Sequence, residues 1–180
     1  MNIKPVTKNQ VIKLLKKIKF NNLKSEKISL INAKGRILSS DITSSINLPP
    51  FNNSAVDGYA ILDKDIKTKS DFICQNRIVA GDNKNIKIKH GELIRVFTGA
   101  RMPVNSRTVI MQENVSLIKN KVIIKKLPKI GENFRIKGED IKKNQIILKK
   151  GTRITINNLN LIAAIGFRKI KVFKKLNIGF

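Results

Sequence analysis

LPPFNNSAVDGYA, at residues 48–60, separates a helix-and-strand pattern from a long series of short strands. The stretch itself has neither helical nor strand periodicity. Pro49 and Pro50 fix their own backbone φ angles and push the residues before them toward extended geometry. Gly58 permits a backbone conformation or a close approach that a Cβ would block, which places Asp57 at a bend. We therefore predict a shaped loop, although the composition is also typical of an ordinary turn between domains.

The segment before this loop has α/β character. Thr7 and Gln10 form a capping-box pattern ahead of a predicted amphipathic helix over about residues 8–20. Its apolar stripe consists of Val11, Leu14, Leu15 and Ile18. We expect that stripe to face a core and the lysine-rich face to be solvated, although a helix on an anionic membrane has the same pattern. Residues 27–32 predict a short strand, and residues 35–38 a further short element.

A series of strands follows the loop. Segments rich in Ile, Val and Phe are separated by Gly, Asn or Lys turns, with a hairpin predicted at Asn120. The predicted strands are 59–62, 72–80, 92–97, 108–112, 115–118 and 121–126. Residues 46–145 are thus predicted to form a compact, mostly β domain.

The last part of the chain returns to α/β character. Thr155 is placed to cap a helix that Gly166 can end, and residues 170–173 then alternate as a strand. The predicted fold class is α+β, with the mostly β domain (46–145) inserted into an α/β domain made of residues 1–45 and 146–175.

The charge of the chain is strongly positive, at +25. Lysine supplies most of it, with 29 Lys against 8 Arg, and Lys, Ile and Asn, which AT-rich codons encode, are all abundant. Surfaces that read nucleic acids use Arg forks and stacking aromatics, whereas this chain has no Trp and one Tyr. We therefore expect no specific nucleic-acid partner, and a basic RNA-binding protein is kept as the weaker alternative.

Cys74 and His90 are the single cysteine and the single histidine of the sequence. A disulfide within the chain and a Cys/His zinc cluster are therefore impossible. We expect Cys74 to be a small buried side chain and His90 to be exposed. The sequence has no apolar run of membrane-spanning length and no signal-peptide pattern, so we expect no membrane association and a cytoplasmic location.

Two further loops carry polar groups beside the one that holds Asp57. In the loop 97–101, the Thr98 hydroxyl and the backbone N–H of Gly99 would suit an oxyanion or a phosphate, although Thr-Gly is also ordinary turn chemistry. In the loop 135–140, Asp140 could bind a hard divalent cation or orient water, and Arg135 could hold a phosphate. A salt-bridged surface turn would have the same composition.

Taken together and in this order, the loops resemble those of the molybdopterin molybdenumtransferases, a family that includes the E domain of gephyrin. Residues 48–60 differ from the family pattern LPPFDNSAMDGYA at Asn52 and Val56 alone. GELIRVFTGARMPVNSRTVIMQE at 91–113 is similar to GExIRIxTGAxxPxGADAVVMQE, and RIKGEDI at 135–141 is similar to RxxGEDI. Residues 151–175 resemble the helix and strand that precede the cofactor-binding domain of the family.

The resemblance implies a function in molybdenum cofactor biosynthesis. Members of the family take adenylylated molybdopterin and molybdate as substrates and, with a divalent cation such as Mg²⁺, release AMP as molybdenum enters the dithiolene. By position, the implied catalytic residues are Asp57, Thr98 and Asp140, the implied substrate-binding residues are Gly58, Gly99 and Arg135, and the candidate metal ligands are Asp57 and Asp140. The family forms dimers in which the β domain faces the cofactor-binding domain of the partner, so we expect a homodimer or a full-length subunit as partner.

This chain also departs from the family pattern. Asn52 removes a carboxylate from the first loop, and residues 105–107 replace a turn that normally carries an acid. Residues 176–180 resemble the start of the molybdopterin-binding domain, whose TGDEL and glycine-rich motifs are absent from the sequence. We therefore expect a fragment or a shortened product that supplies one half-site and is inactive alone. A non-catalytic dimerisation or scaffold module of the same family is the alternative.

Overall fold

The computed structural model describes residues 5–17, 23–68, 70–119 and 121–177. These residues are mostly β and include two α-helices, α1 (Lys8–Lys17) and α2 (Ile156–Ala164), which agrees with the predicted α+β class. The strands are β1 (Ser25–Ser29), β2 (Ile42–Thr43), β3 (Asn53–Ser54), β4 (Gly58–Ile61), β5 (Asp71–Ile78), β6 (Glu92–Val96), β7 (Thr108–Met111), β8 (Val115–Ile118), β9 (Lys121–Ile124), β10 (Phe134–Arg135), β11 (Ile146–Leu148) and β12 (Lys169–Phe173).

The chain divides into two compact units. The first contains the described residues of Met1–Ile42 and Ile146–Phe180, and the second is Thr43–Gln145. Among the described residues, no helix has the length and apolar character needed to span a membrane.

In the first unit, β1 and β12 form an antiparallel pair that runs from Ser25 opposite Phe173 to Ser29 opposite Lys169. The expected strand at 27–32 is thus shifted toward the N-terminus, and its last three residues form a 3₁₀ turn. Thr155 caps α2 as predicted, in a reciprocal box with Asn158. Side chains from both parts of the sequence are fully buried in this unit: Leu38, Ile154, Ile162, Ile165 and Val172.

Helix α1 begins as predicted, because the Thr7 backbone N–H donates to the Gln10 side chain at 2.8 Å. Its expected packing is wrong, since none of the residues of α1 is buried. Leu14 and Leu15 expose 58% and 59% of their surface. A helical period shows that a face needs to be covered but not what covers it. Ile18, the fourth residue of the predicted stripe, lies outside the described residues.

The second unit contains a six-stranded sheet in the order β7-β4-β6-β5-β9-β8. Its strand pairs are antiparallel except β5 with β6, which is parallel. All six strands were predicted, with ends that differ by two residues at most, and β8 and β9 form the expected hairpin. Asn120, to which the turn was assigned, lies outside the described residues.

Strand β4 lies inside this sheet, between the edge strand β7 and strand β6. Because successive residues of a strand point to opposite faces, Ala60 packs in one buried cluster, whereas Tyr59 and Ile61 pack in the other. Burial on both faces explains why this strand is continuously apolar. The strand begins at Gly58, so the loop that carries Asp57 is anchored directly to the core.

The single cysteine and the single histidine both belong to this unit. Cys74 is half-buried rather than buried, at a shift in the pairing of β5 with β6, and burial raises the pKa of its thiol. His90 is exposed as predicted, but its Nδ1 lies 2.6 Å from the carboxylate of Asp65. Asp65 is fully buried, and it also accepts a hydrogen bond from the Gly91 backbone N–H at 2.9 Å.

Candidate functional site

Strand β3 brings the three predicted loops together. On one side, Ser54 accepts a hydrogen bond from the Gly99 backbone N–H at 2.9 Å and donates its own N–H to the carbonyl of Ala100 at 3.0 Å. On the other side, Asn53 pairs with Arg135 of β10. The loops 48–60, 97–101 and 135–140 are thus joined by backbone hydrogen bonds within the second unit.

Asp57 and Thr98 form the closest contact between the first two loops. Oδ1 of Asp57 accepts the Thr98 backbone N–H at 2.8 Å and the Thr98 hydroxyl at 2.7 Å. The backbone hydrogen bond has the larger effect and the hydroxyl bond the next, and together they hold the pKa of the Asp57 carboxyl below its usual range. The positive charge of Arg95 lowers this pKa further. Among the described residues, no group donates to Oδ2 of Asp57, so that oxygen is open to a ligand.

Arg95 is a neighbour of this pair that the sequence analysis missed. Its guanidinium lies over the rings of Tyr59 and Phe97, 4.9 Å and 5.0 Å from their centroids, and it donates to the side chain of Gln112. Tyr59 and Arg95 are directly paired across β4 and β6. A charged residue inside the apolar strand 92–97 was the signal in the sequence, but only the strand register shows which aromatic ring it meets.

Arg135 and Asp140 form the core of the third loop. Nη2 of Arg135 donates to both carboxylate oxygens of Asp140, at 2.9 and 2.8 Å, and Nε donates to Glu139. Glu139 also accepts the Ile136 backbone N–H at 2.9 Å; this bond, followed by the contact with Arg135, lowers the pKa of the Glu139 carboxyl. The turn is salt-bridged, as its composition allowed. An incoming anion would have to compete with these carboxylates for the arginine.

The first and third loops are tied together by their backbones. The Gly138 N–H donates to the carbonyl of Pro49 at 2.9 Å, and the Asp140 N–H donates to the carbonyl of Leu48 at 3.0 Å. Asp140 is therefore held against the proline end of the loop that also carries Asp57. Its position depends on the fold of residues 48–50, which are distant in sequence.

The two glycines predicted to bind substrate have structural places. Gly58 is buried, and a Cβ there would lie 2.1 Å from the carbonyl oxygen of Ile110, so the close approach of β7 accounts for this glycine. Gly99 has a φ of +79°, which favours glycine. Its N–H was expected to be available to an oxyanion; that expectation is wrong, because the N–H donates to Ser54.

The candidate metal ligands do not form a closed cage. In the part of the chain that the structure describes, no group of three or more His, Cys, Asp or Glu side chains is placed to hold an ion. Both oxygens of Asp140 already accept from Arg135, whereas Asp57 offers Oδ2. Mg²⁺ is commonly held by one or two carboxylates together with water and substrate phosphates. Asp57 fits that kind of open site, and Asp140 fits it less well.

Asn52, where the family pattern has Asp, also has a structural place. Its side-chain Oδ1 accepts the backbone N–H of Lys137 at 2.8 Å, which ties the first loop to the third. Next to it, Arg101 lies over the ring of Phe51, 4.4 Å from the centroid. Two buried polar atoms in this neighbourhood, Nε of Arg101 and Oδ1 of Asn53, have no hydrogen-bond partner in the described structure.

Replacing Thr98 by Val tests the hydrogen-bonded arrangement around Asp57. The variant removes the hydroxyl donor and keeps the backbone N–H, so we expect the pKa of Asp57 to rise toward its usual value. Because the folded-state pKa of Asp57 is lowered, the linked stability is present above the unfolded-state pKa and is lost as the pH falls through the folded-state pKa. In Thr98→Val the linked stability is smaller, and its loss is complete at a higher pH. Carboxyl ¹³C titration by NMR measures the shift.

Thr98→Ser is the matched control, because it keeps the hydroxyl. The pKa of Asp57 in this variant should be close to that in the unchanged chain. An Asp57 titration midpoint that is the same in Thr98→Val and in the unchanged chain would contradict the role given to the hydroxyl.

Residues 6–166 match the family model of the MoeA N-terminal region (domain I and II). The molybdopterin molybdenumtransferase of Haemophilus influenzae is 34% identical over 168 residues, covering 93% of this chain and 41% of that protein. The enzyme of the same name from Staphylococcus epidermidis is 32% identical over 180 residues, covering 97% and 43%. The chain therefore spans about two-fifths of the length of these relatives.

Solved structures agree with this match. Two crystal structures of the molybdopterin biosynthesis MoeA protein from Pyrococcus horikoshii have TM-scores of 0.80 and 0.78 to this chain. Sequence identities are 31% and 32%, and the alignments cover 93% and 84% of this chain but 44% and 41% of those chains. The region that matches the family model contains all three loops described above. The chain belongs to the MoeA family and contains its N-terminal region.

Proposed function

We propose that this chain supplies an N-terminal half-site for the insertion of molybdate into adenylylated molybdopterin, with release of AMP. The observation that carries the proposal is the Asp57 carboxylate, held by both donors of Thr98 in the loop that most resembles the family pattern. A carboxylate that stays ionised and keeps one open oxygen is suited to holding a cation or orienting a nucleophile beside a phosphate. Residues elsewhere in a complete enzyme would complete the site.

Each proposed site residue has a role that its contacts support. Thr98 positions the Asp57 carboxylate, since both of its donors are directed at Oδ1. Arg135 is the anion-binding group of the third loop, and Asp140 holds it in place until an anionic substrate displaces a carboxylate. Gly58 and Gly99 shape the backbone around these side chains. AMP release breaks a P–O bond, and the negative charge that develops on the phosphate needs such fixed partners.

Mg²⁺ belongs to the same proposal. Oδ2 of Asp57 would be its ligand from this chain, with substrate phosphate and water in the other positions. When bound, the ion would neutralise phosphate charge. Asp140 is the weaker candidate for a Mg²⁺ ligand, because both of its carboxylate oxygens already accept from Arg135.

We further propose that the mostly β domain, residues 46–145, is inserted into an α/β dimerisation domain made of residues 1–45 and 146–175. Residues 176–180 would lead into a molybdopterin-binding domain. The exposed apolar residues of α1, among them Leu14 and Leu15, support a second subunit as partner, since such a face is commonly covered in an assembly. The cytoplasm is the proposed location, in line with a single cysteine and no possible intrachain disulfide.

A chimaera tests the proposal directly. Residues 1–180 replace the matching segment of the H. influenzae relative, and AMP release from adenylylated molybdopterin is measured with and without molybdate. We expect a dimeric chimaera, by sedimentation, that releases AMP in a molybdate-dependent manner. A folded, dimeric chimaera with no activity above background would contradict the catalytic proposal.

That contradicting result would favour the second candidate function, a non-catalytic dimerisation module of the same family. The uncovered apolar face of α1 is the observation that favours it, because it supports assembly without requiring chemistry. The two candidates therefore differ in one measurement, since both predict a dimer and only the first predicts AMP.

A further inference from the structure

A pocket of about 390 Å³ lies beside the loop 48–60, within the second unit. Two segments of that unit, residues 50–52 and 101–104, line it together with Asn85 and Lys137. Its size is at the lower end of the range for small-molecule sites. None of the residues proposed above for the transferase half-site lines it.

The pocket is positively charged without a compensating acid. The described residues that line it include Arg101 and Lys137 and no Asp or Glu. Among the described residues, no carboxylate pairs with either cation. Two other arginines of this unit, Arg107 and Arg135, each have an acidic partner within 3 Å.

Arg101 is held in place by an aromatic contact and not by an ion pair. Its guanidinium stacks on Phe51 with 4.4 Å between the guanidinium carbon and the ring centroid. Its Nε is buried, and no acceptor among the described residues meets it. Stacking orients the guanidinium plane and leaves the donors at its edge unused. A preoriented guanidinium with unused donors recognises a planar carboxylate or a phosphate.

Asn52 supplies a neutral hydrogen-bond donor at a position where a negatively charged Asp would repel an anion. Because its Oδ1 accepts the Lys137 backbone N–H, its amide nitrogen is the atom left to donate. With Asp at this position, as in the family pattern, the same place would carry a negative charge near Arg101. The Asn in this chain therefore makes the pocket more attractive to anions.

We propose that this pocket binds a small ligand through a tetrahedral phosphate-type oxyanion. Arg101 and Lys137 supply the charge, and the amides of Asn52 and Asn85 supply neutral donors for the remaining oxygens. The ligand is either a free oxyanion or the phosphate of a small organic monoester. The proposal does not depend on the transferase activity, because it uses other side chains and its test measures binding to this chain alone.

Equilibrium dialysis of the purified 180-residue chain against radiolabelled inorganic phosphate, at fixed ionic strength, measures the affinity. Phenyl phosphate as a competitor distinguishes the two sources of the ligand. If phenyl phosphate binds more than about tenfold tighter than phosphate, the site takes an organic monoester; equal affinities indicate a free oxyanion. Amide chemical shifts should change at residues 50–52, 101–104 and 137 in either case.

Arg101→Gln should weaken binding by roughly tenfold or more, because hydrogen bonds to charged groups are the strong ones. The affinity of Arg101→Lys should lie between those of Arg101→Gln and the unchanged chain, because lysine keeps the charge but lacks the planar guanidinium. Asn52→Asp should weaken binding about threefold or more through repulsion. Arg168→Gln removes one exposed positive charge from the first unit and is the matched control, expected to change affinity less than about twofold.

The proposal is overturned if phosphate and phenyl phosphate show no saturable binding at millimolar concentration. It is also overturned if Arg101→Gln and Arg168→Gln weaken phosphate binding equally. The second result would mean that net charge alone attracts the ligand. Circular dichroism of each variant shows whether it is folded. Should Arg101→Gln not fold, Asn52→Asp decides the matter, because Asn52 is exposed and unchanged affinity in that variant would contradict the proposal.

Discussion

Asp57→Asn is expected to lower AMP release by the chimaera about a hundredfold or more, the range over which general acid–base and electrostatic groups act. Asn has the shape of Asp, and its Oδ1 can still accept from both Thr98 donors. The variant removes the negative charge and turns the open Oδ2 into an amide donor. The measured rate therefore reports the charge of this side chain and not the fold of the loop.

Asp82→Asn is the matched control. Asp82 also accepts a backbone N–H in a turn, from Val79 at 3.3 Å, but it lies outside the three loops. We expect the control to retain the rate of the unchanged chimaera. Equal rates for Asp57→Asn and Asp82→Asn would remove Asp57 from the proposed site while leaving family membership intact.

Gly58→Ala is expected to destabilise the chain by about 3 kcal/mol or more, a large effect for one methyl group. The new Cβ would lie 2.1 Å from the carbonyl oxygen of Ile110 and 2.9 Å from a side-chain carbon of Val109. The carbonyl belongs to β7, which pairs with β4 along Gly58–Ile61, so it cannot move without disturbing that ladder. Urea denaturation followed by circular dichroism measures the free energy of unfolding.

Gly131→Ala provides the comparison. Gly131 has a φ of +82°, but no atom of the described residues lies within 4 Å of a Cβ placed there. Its cost should therefore be limited to backbone strain, about 1 kcal/mol. If Gly58→Ala costs no more than Gly131→Ala, the close approach of β7 does not explain the glycine in the loop 48–60.

Local sequence patterns predicted most of the secondary structure. The caps at Thr7 and Thr155 are local hydrogen-bonding motifs, so the sequence pattern alone predicts them. The strands of the second unit were readable because burial on one or both faces leaves apolar runs between turns. The sequence pattern could not predict what packs against α1, because a period of 3.6 residues carries no information about the partner of the apolar face.

The candidate site was predicted in part. The order of the three motifs indicated Asp57, Thr98 and the loop 135–140, and the structure joins these loops through β3. The contact of Arg95 with two aromatic rings depends on which strands are neighbours, and sequence spacing does not give that register.

The residues of the chain set the chemical groups that it can offer: an aspartate beside a glycine, a Thr-Gly turn, an Arg-Asp turn and an excess of lysine. Folding then sets which of those groups remain available to a ligand. The backbone N–H of Gly99 donates to Ser54, and Asp140 is paired with Arg135. Among the described residues, Oδ2 of Asp57 and Nε of Arg101 have no hydrogen-bond partner. A group that already has a hydrogen-bond partner within the fold must lose that partner before it binds a ligand. Because the partner is usually distant in sequence, only the folded chain shows which groups are free.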